Sequence, residues 1–274
     1  MNIVVLSGKG GTGKTLVSTN LVKYMKANYI DADVEEPNGF IFLKPAIKEK
    51  IDVKVKVPFI DKDKCKKCFK CTEFCRFNAL AKTSDKVLIF DKLCHSCGGC
   101  KIVCKFDAIE YVDKKVGIIE KGHSEGFKCS RGLLNIGEPM AVPVIKELLS
   151  NLGGELNIID SSPGTSCNVV NILEHADAAI LVTEPTNFGL HDLDRAVKLV
   201  KKFNMPFAVV VNRVTEKYNI ITKYCSRNKI EVLGQIDYDK DIAIMYSRGE
   251  LIINKEKYLN IFKALSSKIK EKWL

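Results

Sequence analysis

The sequence predicts an α/β protein with a mostly parallel sheet, interrupted by a small α+β module rich in cysteine. Three observations point there. A glycine-rich loop at residues 7–15, SGKGGTGKT, lies between an apolar run at 3–6 and an amphipathic run at 16–25. Apolar strand-like runs alternate with amphipathic helical ones through the second half, the pattern of parallel strands joined by crossover helices. Between these regions, eight of the eleven cysteines fall into two runs of identical spacing.

Composition sets the outer bounds. A chain of 274 residues with 46% hydrophobic and 28% charged residues can bury one large core and carry a small module. Met1 runs straight into the first strand, and no apolar run approaches the ~18 residues of a membrane span, so a cytoplasmic protein is expected. Without an export signal, clustered cysteines read as metal ligands rather than disulfides. The net charge of +10 comes mostly from lysine and is dense at Lys62, Lys64, Lys66, Lys67 and Lys70. It fits solvated faces or an acidic redox partner. Arginine is scarce and no aromatic residues interleave, so nucleic acid is not an expected partner.

In chain order the loop comes first. Gly8, Gly13, Lys14 and Thr15 satisfy G-x-x-x-x-G-K-[ST], in which backbone N–H groups close around a phosphate chain; Gly10, Gly11 and Thr12 complete the cradle. Lys14 is expected to reach the terminal phosphates and Thr15 to hold Mg²⁺. The helix that starts here adds its positive end. Lys9 is surplus to this motif. With it, KGGTGKT resembles the deviant phosphate loop of the MinD/ParA/nitrogenase-iron-protein class of dimeric ATPases. The resemblance implies ATP as the nucleotide and a homodimer, or a pair with a related ATPase, in which Lys9 reaches the nucleotide of the other subunit.

A short second strand ends at Asp31-Ala32-Asp33. Carboxylates at the carboxyl end of a strand beside a phosphate loop stand where ligands bind in open α/β sheets, although a turn-forming aspartate is the plainer alternative. The string DADVEEPN resembles switch I of the same class, which implies that Asp33 orients the hydrolytic water and Asp31 supports Mg²⁺.

Residues 58–113 then break the α/β rhythm. Cys65, Cys68, Cys71 and Cys75 form C-x2-C-x2-C-x3-C, and Cys94, Cys97, Cys100 and Cys104 repeat it; CRFNAL at 75–80 is echoed by CKFDAI at 104–109. In two-cluster ferredoxins the fourth cysteine of each run serves the other cluster. One [4Fe–4S] cluster would therefore take Cys65, Cys68, Cys71 and Cys104, and the second Cys94, Cys97, Cys100 and Cys75. Zinc is the competing metal. His95, inside the second run, is expected at the surface. The ferredoxin pattern has proline after the fourth cysteine; here Arg76 and Lys105 stand there, and cations beside a cluster should raise its potential.

From residue 116 a strand-like start leads through a glycine-rich middle, with Gly117 and Gly122 read as turns, to a helix from Pro143. GLLNIGEP at 132–139 resembles a segment of MinD-type ATPases that carry a ferredoxin insertion, and it suggests no mechanistic role. A buried run ends at Asp160, the expected Mg²⁺ partner of Thr15. Ser161-Ser162-Pro163-Gly164-Thr165 follows, and Gly164 is expected to offer its N–H to the γ-phosphate. Cys129 and Cys167 read as unliganded, Cys167 as a small core residue. Two further strands follow, at 178–183 and 207–211. The second runs into Asn212, which by the same resemblance recognises adenine, or which simply caps a strand end. Residues 237–250 resemble the base-covering loop, with Asp237 where the class usually has proline.

The chain is identified as a member of the MinD/Mrp superfamily of P-loop ATPases, with an ATPase body at residues 1–57 and 114–274 and an inserted ferredoxin-like module at 58–113. The resemblance implies ATP hydrolysis coupled to electron transfer through two clusters toward an unidentified acceptor protein. An iron–sulfur carrier of the Mrp type and a positioning ATPase with structural clusters are the alternatives.

Overall fold

The computed structural model describes residues 1–150, 152–216 and 219–274. In chain order the elements are β1 (Asn2–Leu6), α1 (Lys14–Met25), β2 (Asn28–Asp31), α2 (Gly39–Leu43), β3 (Ala46–Ile60), α3 (Lys70–Phe74), β4 (Leu80–Lys82), β5 (Val87–Ile89), α4 (Gly99–Ile102), β6 (Ile109–Ser124), β7 (Phe127–Leu134), α5 (Val142–Leu149), β8 (Asn157–Asp160), α6 (Cys167–Leu173), β9 (Ala178–Thr183), α7 (Asn187–Lys202), β10 (Phe207–Val214), α8 (Ile220–Arg227), β11 (Val232–Asp237), α9 (Lys240–Ser247) and α10 (Glu256–Trp273). The main sheet has the order β11-β10-β9-β1-β8-β2-β7-β6-β3, and β4 pairs only with β5.

The parallel strands are short because both of their faces are buried. In β1, Ile3 and Val5 join a core with α1 and α10, while Val4 and Leu6 join a second core with α5, α6 and α7. This period-two sorting sandwiches the sheet between helices, and it aims the carboxyl ends of β1, β2, β8, β9 and β10 at one edge. The nucleotide loops leave from that edge.

The antiparallel side differs from the sequence reading. Gly117 and Gly122 are not turns; both lie inside β6, a strand of 16 residues. They are small because neighbouring strands approach closely: a Cβ on Gly117 would meet the Leu133 carbonyl oxygen at 2.5 Å, and one on Gly122 the Ala46 carbonyl oxygen at 2.4 Å. The glycine-rich middle contains a real strand, β7, parallel to β2 and antiparallel to β6. Cys167, expected in the core, is exposed at the start of α6.

β3 and β6 also outrun their neighbour. β7 ends at Leu134, opposite Gly117, yet β3 and β6 continue for seven further pairs, from Lys54–Lys115 to Ile60–Ile109. The two strands form a ribbon projecting roughly 20 Å past the sheet. Because β3 runs in the same direction as β7 and β2, the projection leaves from the edge that carries the nucleotide loops. The cysteine-rich residues sit at its tip, so the expected boundaries at 58 and 113 cut through continuous strands.

One ion-pair cluster fixes this edge to the sheet. The Arg131 guanidinium donates to Glu120 from Nε at 2.8 Å and from Nη2 at 2.6 Å, Lys50 Nζ reaches the other carboxylate oxygen at 2.7 Å, and the Arg131 fork lies 4.6 Å over the Phe40 ring. Glu120 is 4% exposed, so deleting it strands a cation against an apolar surface. Glu120→Ala should cost about 2–3 kcal/mol, at or below the low end for a broken buried pair because Arg131 keeps some access to water. Denaturant unfolding measures this, and a loss under 0.5 kcal/mol would contradict it.

Candidate functional site

The loop after β1 is shaped by its glycines. Gly11 and Gly13 take φ values of 77° and 97°, left-handed conformations that side chains resist, and Gly13 caps α1. Two contacts leave no room for a Cβ. On Gly8 it would meet the Asp192 carbonyl oxygen of α7 at 2.2 Å, and on Gly13 it would meet Asn212 Nδ2 at 2.2 Å. Asn212, at the end of β10, donates to the Thr12 carbonyl at 2.8 Å, so this amide braces the loop from behind. A cavity of about 380 Å³ opens there, lined by Gly10, Gly11, Gly13, Lys14, Thr15 and Asp33 on one side and by Asn212, Arg213, Tyr238 and Tyr246 on the other.

Register brings the carboxylates together. Asp31 and Asp160 are direct partners across β2 and β8, and the Tyr29 hydroxyl stands 3.1 Å from each. Tyr29 has one proton for two acceptors. Asp31 also accepts the Gly39 N–H at 2.9 Å and the Asp33 N–H at 3.3 Å, so both its oxygens are engaged within the chain. Burial, and then the Asp160 charge, push the Asp31 carboxyl well above the usual range. Asp160 is raised too, by burial, against the pull of Lys14 and of the Thr15 and Ser18 hydroxyls. Burial lifts Asp33 to about 6; Lys14 opposes this, and Asp160, Glu35 and Glu36 add to it.

The polar atoms left over suit a Mg²⁺–nucleotide. Asp160 Oδ1, Thr12 Oγ1 and Ser162 Oγ are buried without a hydrogen-bond partner. A buried carboxylate oxygen beside Thr15 suits a hydrated cation, and hydroxyls in the loop suit phosphate oxygens. Gly164, at φ 91°, donates its N–H to the Ser7 carbonyl at 2.9 Å, which ties the loop after β8 to the phosphate loop. Lys9 turns back to Glu184, 3.4 Å away, and Arg213 holds the other oxygen of Glu184 at 2.6 Å.

At the ribbon's tip the duplication is visible in the backbone. Left-handed residues fall at equivalent places in the two repeats: Lys67 and Ser96, Phe69 and Gly98, Asn78 and Asp107. The cysteines divide between two cavities. Cys65, Cys68, Cys71 and Cys104 line one, and Cys75, Cys94, Cys97 and Cys100 line the other, so each cavity takes three thiols from one run and one from its twin. Among the described residues no three His, Cys, Asp or Glu side chains converge tightly enough to hold a single ion. Four thiols around each cavity are a donor set that fits an iron–sulfur cluster, and zinc takes the same ligands. Burial pushes the Cys71 thiol up to about 11, with Cys100 and Cys65 adding to the rise, so an electron-withdrawing metal is needed to keep it a thiolate.

Residues 3–252 match the CobQ/CobB/MinD/ParA nucleotide binding domain. The chain belongs to this family. It is a P-loop ATPase of the MinD/ParA type. An uncharacterized protein of Methanocaldococcus jannaschii is 34% identical over 281 residues, 97% of each chain. An iron–sulfur cluster carrier protein of Pyrococcus horikoshii is 34% identical over 102 residues, 35% of this chain and 33% of that one. The septum site-determining protein MinD of Pyrococcus horikoshii, solved with Mg-ADP, superposes with a TM-score of 0.60 at 18% identity, covering 98% of this chain and 95% of that one; the likeness is one of fold.

Several residues of this ATPase's site carry little sequence signal. Tyr29 is one apolar-looking residue in a strand of four. Arg213 and Tyr246 enter only because β10 and α9 face the loop. Glu184 does carry a signal, the same one as Asp160: a carboxylate just past a core strand. The segment at 132–139 acquires contacts as well. Its Leu134 N–H donates to the Val34 carbonyl, next to Asp33, at 2.9 Å. Its Glu138 accepts from Lys114 at 2.9 Å, and Lys114 also reaches Asp91, beside the second cysteine run, at 3.0 Å. No described helix is long and apolar enough to cross a membrane.

The loop geometry predicts a contrast between two glycines. A Cβ on Gly10 meets nothing within 4 Å, whereas one on Gly13 collides with Asn212 in a left-handed conformation. Gly13→Ala should lower ATP affinity at least tenfold in a fluorescent-nucleotide titration. Gly10→Ala should leave the thermal unfolding midpoint of the free protein unchanged while Gly13→Ala lowers it, and a matched drop in that midpoint in both variants would contradict the steric assignment.

Proposed function

We propose that this ATPase is a nucleotide-gated homodimer that couples ATP hydrolysis to electron transfer through two [4Fe–4S] clusters carried by a ferredoxin-like module at residues 58–113. One observation carries the reading. The eight cysteines sort into two cavities, each drawing on both runs, at the tip of a ribbon whose strands belong to the ATPase sheet. Cys65, Cys68, Cys71 and Cys104 would hold one cluster and Cys75, Cys94, Cys97 and Cys100 the other. Bound there, the clusters supply one-electron storage and transfer.

The remaining chemistry belongs to the chain. Lys14 and the N–H groups of Gly10 to Thr15 hold the phosphates, and Thr15 and Asp160 face Mg²⁺. Asp31, saturated by Tyr29, Gly39 and Asp33, positions the switch I loop beside that cation. Asp33 orients the attacking water and accepts its proton; its pKa of about 6 leaves it unprotonated near neutrality. A terminal phosphate competes with the Ser7 carbonyl for the Gly164 N–H, so the loop after β8 shifts between two partners. Asn212 braces the loop and presents the other end of its amide to the base. Lys9 exchanges Glu184 for the nucleotide of the partner subunit. Movement of switch I passes through Val34 to Leu134, and through Glu138 and Lys114 to Asp91 in the cysteine module.

The likeness to iron–sulfur cluster carriers over about a third of the chain favours a second reading, delivery of a cluster to an acceptor protein. Against it, Cys225, the one cysteine near the C-terminal end, is 1% exposed and its thiol is pushed up to about 11 by burial, so it offers no transfer site at the surface.

Two measurements test these readings. With anaerobically purified protein, oxidation of the clusters by an added acceptor should differ at least fivefold between MgATP and MgADP, and the difference should vanish in Lys14→Ala and Lys9→Ala; equal rates in all four cases would refute gating, and cluster loss to an apo-protein would favour delivery. Separately, hydrolysis should fall by about tenfold per pH unit below about 6, as Asp33 gains a proton, and hold level above it. Asp33→Asn should flatten that limb at a low rate. A wild-type profile flat from pH 5 to 8 would remove Asp33 as the base.

A further inference from the structure

The two cysteine cavities are built from one duplicated unit, yet the side chains around them are not equivalent. Tyr111, on β6, places its hydroxyl 3.1 Å from Cys100 Sγ. A metal-bound cysteine is a thiolate with no proton to give, so in that state the tyrosine must be the donor. The repeat supplies an internal comparison. The place of Tyr111 in the first unit, four residues past the shared phenylalanine and asparagine or aspartate, belongs to Lys82, whose ammonium lies 4.5 Å over the Phe69 ring instead of on a thiol.

The backbone serves both cavities. The Ser96 N–H points at Cys94 Sγ at 3.4 Å, the Ala108 N–H at Cys104 Sγ at the same distance, and the backbone at Cys71 and Thr72 faces the Cys71 thiol. Tyr111 differs in kind, as a side-chain hydroxyl set against a thiol of one cavity. Arg76 and His95, the latter stacked on Phe77 at 3.8 Å, also line the cavity of Cys75, Cys94, Cys97 and Cys100. The other cavity is closed by Ile60, Phe69, Val87, Val103, Phe106 and Ile109, with Lys66 and Lys70 as its cations.

We propose that Tyr111 makes the two redox sites inequivalent by raising the potential of the site of Cys75, Cys94, Cys97 and Cys100, as the lysines do at the other site, so that this site takes up an electron more readily than it would without the tyrosine. The inference rests on the two-cluster reading. A hydrogen bond to a ligand sulfur draws off electron density and favours the reduced, more negative state. The step moves one electron, supplied by a low-potential one-electron donor, and forms or breaks no bond. Tyr111 is a positioning and tuning residue, not a redox carrier.

The test compares the wild-type full chain with Tyr111→Phe, both purified anaerobically, by iron and sulfide content and by dithionite titration followed by electron paramagnetic resonance. The wild type should show two resolved midpoints. In Tyr111→Phe one midpoint should fall by about a tenfold change in the oxidised-to-reduced ratio, 59 mV for a one-electron couple, while the other and the iron content stay put. In D₂O, pulsed resonance should detect an exchangeable deuteron near the site whose midpoint moves, and the variant should lack it. Clusters present but with midpoints indifferent to the substitution, or moving together, overturn the assignment and leave the two-cluster reading standing. Wild-type protein that cannot hold iron overturns both.

Discussion

Negative charge crowded at the carboxyl ends of two adjacent strands is the constraint on which the rest of the site depends. β2 and β8 bring Asp31 and Asp160 side by side, both buried, with the Tyr29 proton between them and Asp33 two residues on, its N–H on the Asp31 carboxylate. Two like charges at such spacing in a medium of low polarity cannot both be ionised without a cation. Lys14 supplies part of that charge. The remainder is a reason for the site to take Mg²⁺ with its nucleotide, and for the switch I backbone to be drawn in through Gly39 and Asp33. The pull on a cation and the placement of Asp33 thus follow from one pairing of strands.

The register of β3 and β6 explains how the cysteine-rich segment is attached. Because β3 and β6 are extensions of the sheet, with no flexible linker, the cysteine-rich tip is held at a fixed height above the nucleotide edge. The end of β7 touches Val34 through Leu134, and the loop after it reaches Asp91 through Glu138 and Lys114. Lys114 and Glu138 are well shielded, with side-chain exposures of 17% and 11%, so this contact is screened less by salt than the lysines that decorate the module. A displacement of switch I has a short mechanical route to the second cysteine run, and the route passes through the segment whose sequence suggested no role.

What the sequence made legible was chemistry with fixed spacing. The loop 7–15 and the two cysteine runs require particular residues at particular intervals, and each of the two cavities is lined by three cysteines of one run and one of the other. Long-range geometry was less legible. Gly117 and Gly122 were read as turns because glycine has no side chain to report a strand, and the reason for both, the close approach of Leu133 and Ala46, lies across the sheet. Cys167 was expected in the core from its residue type, but the start of α6 faces outward. Tyr29 and Arg213 act only through partners far away in sequence, at Asp160 and Glu184, which no local pattern announces.

Lys9 shows how the monomer accommodates a residue whose proposed work lies in another subunit. Left free beside a phosphate loop, an additional lysine would compete with Lys14 for the same anion. Glu184 prevents this by drawing it aside. Glu184 itself is only 11% exposed, so a single cation leaving it would ordinarily uncover a buried charge at considerable cost. Arg213, at 2.6 Å, removes that cost, since it stays with Glu184 whether Lys9 is present or not. The lysine is therefore held by the weaker of two contacts on a carboxylate that remains neutralised after it departs. In the proposed dimer, Lys9 has only an ion pair at 3.4 Å to give up, and Glu184 keeps Arg213 when it does.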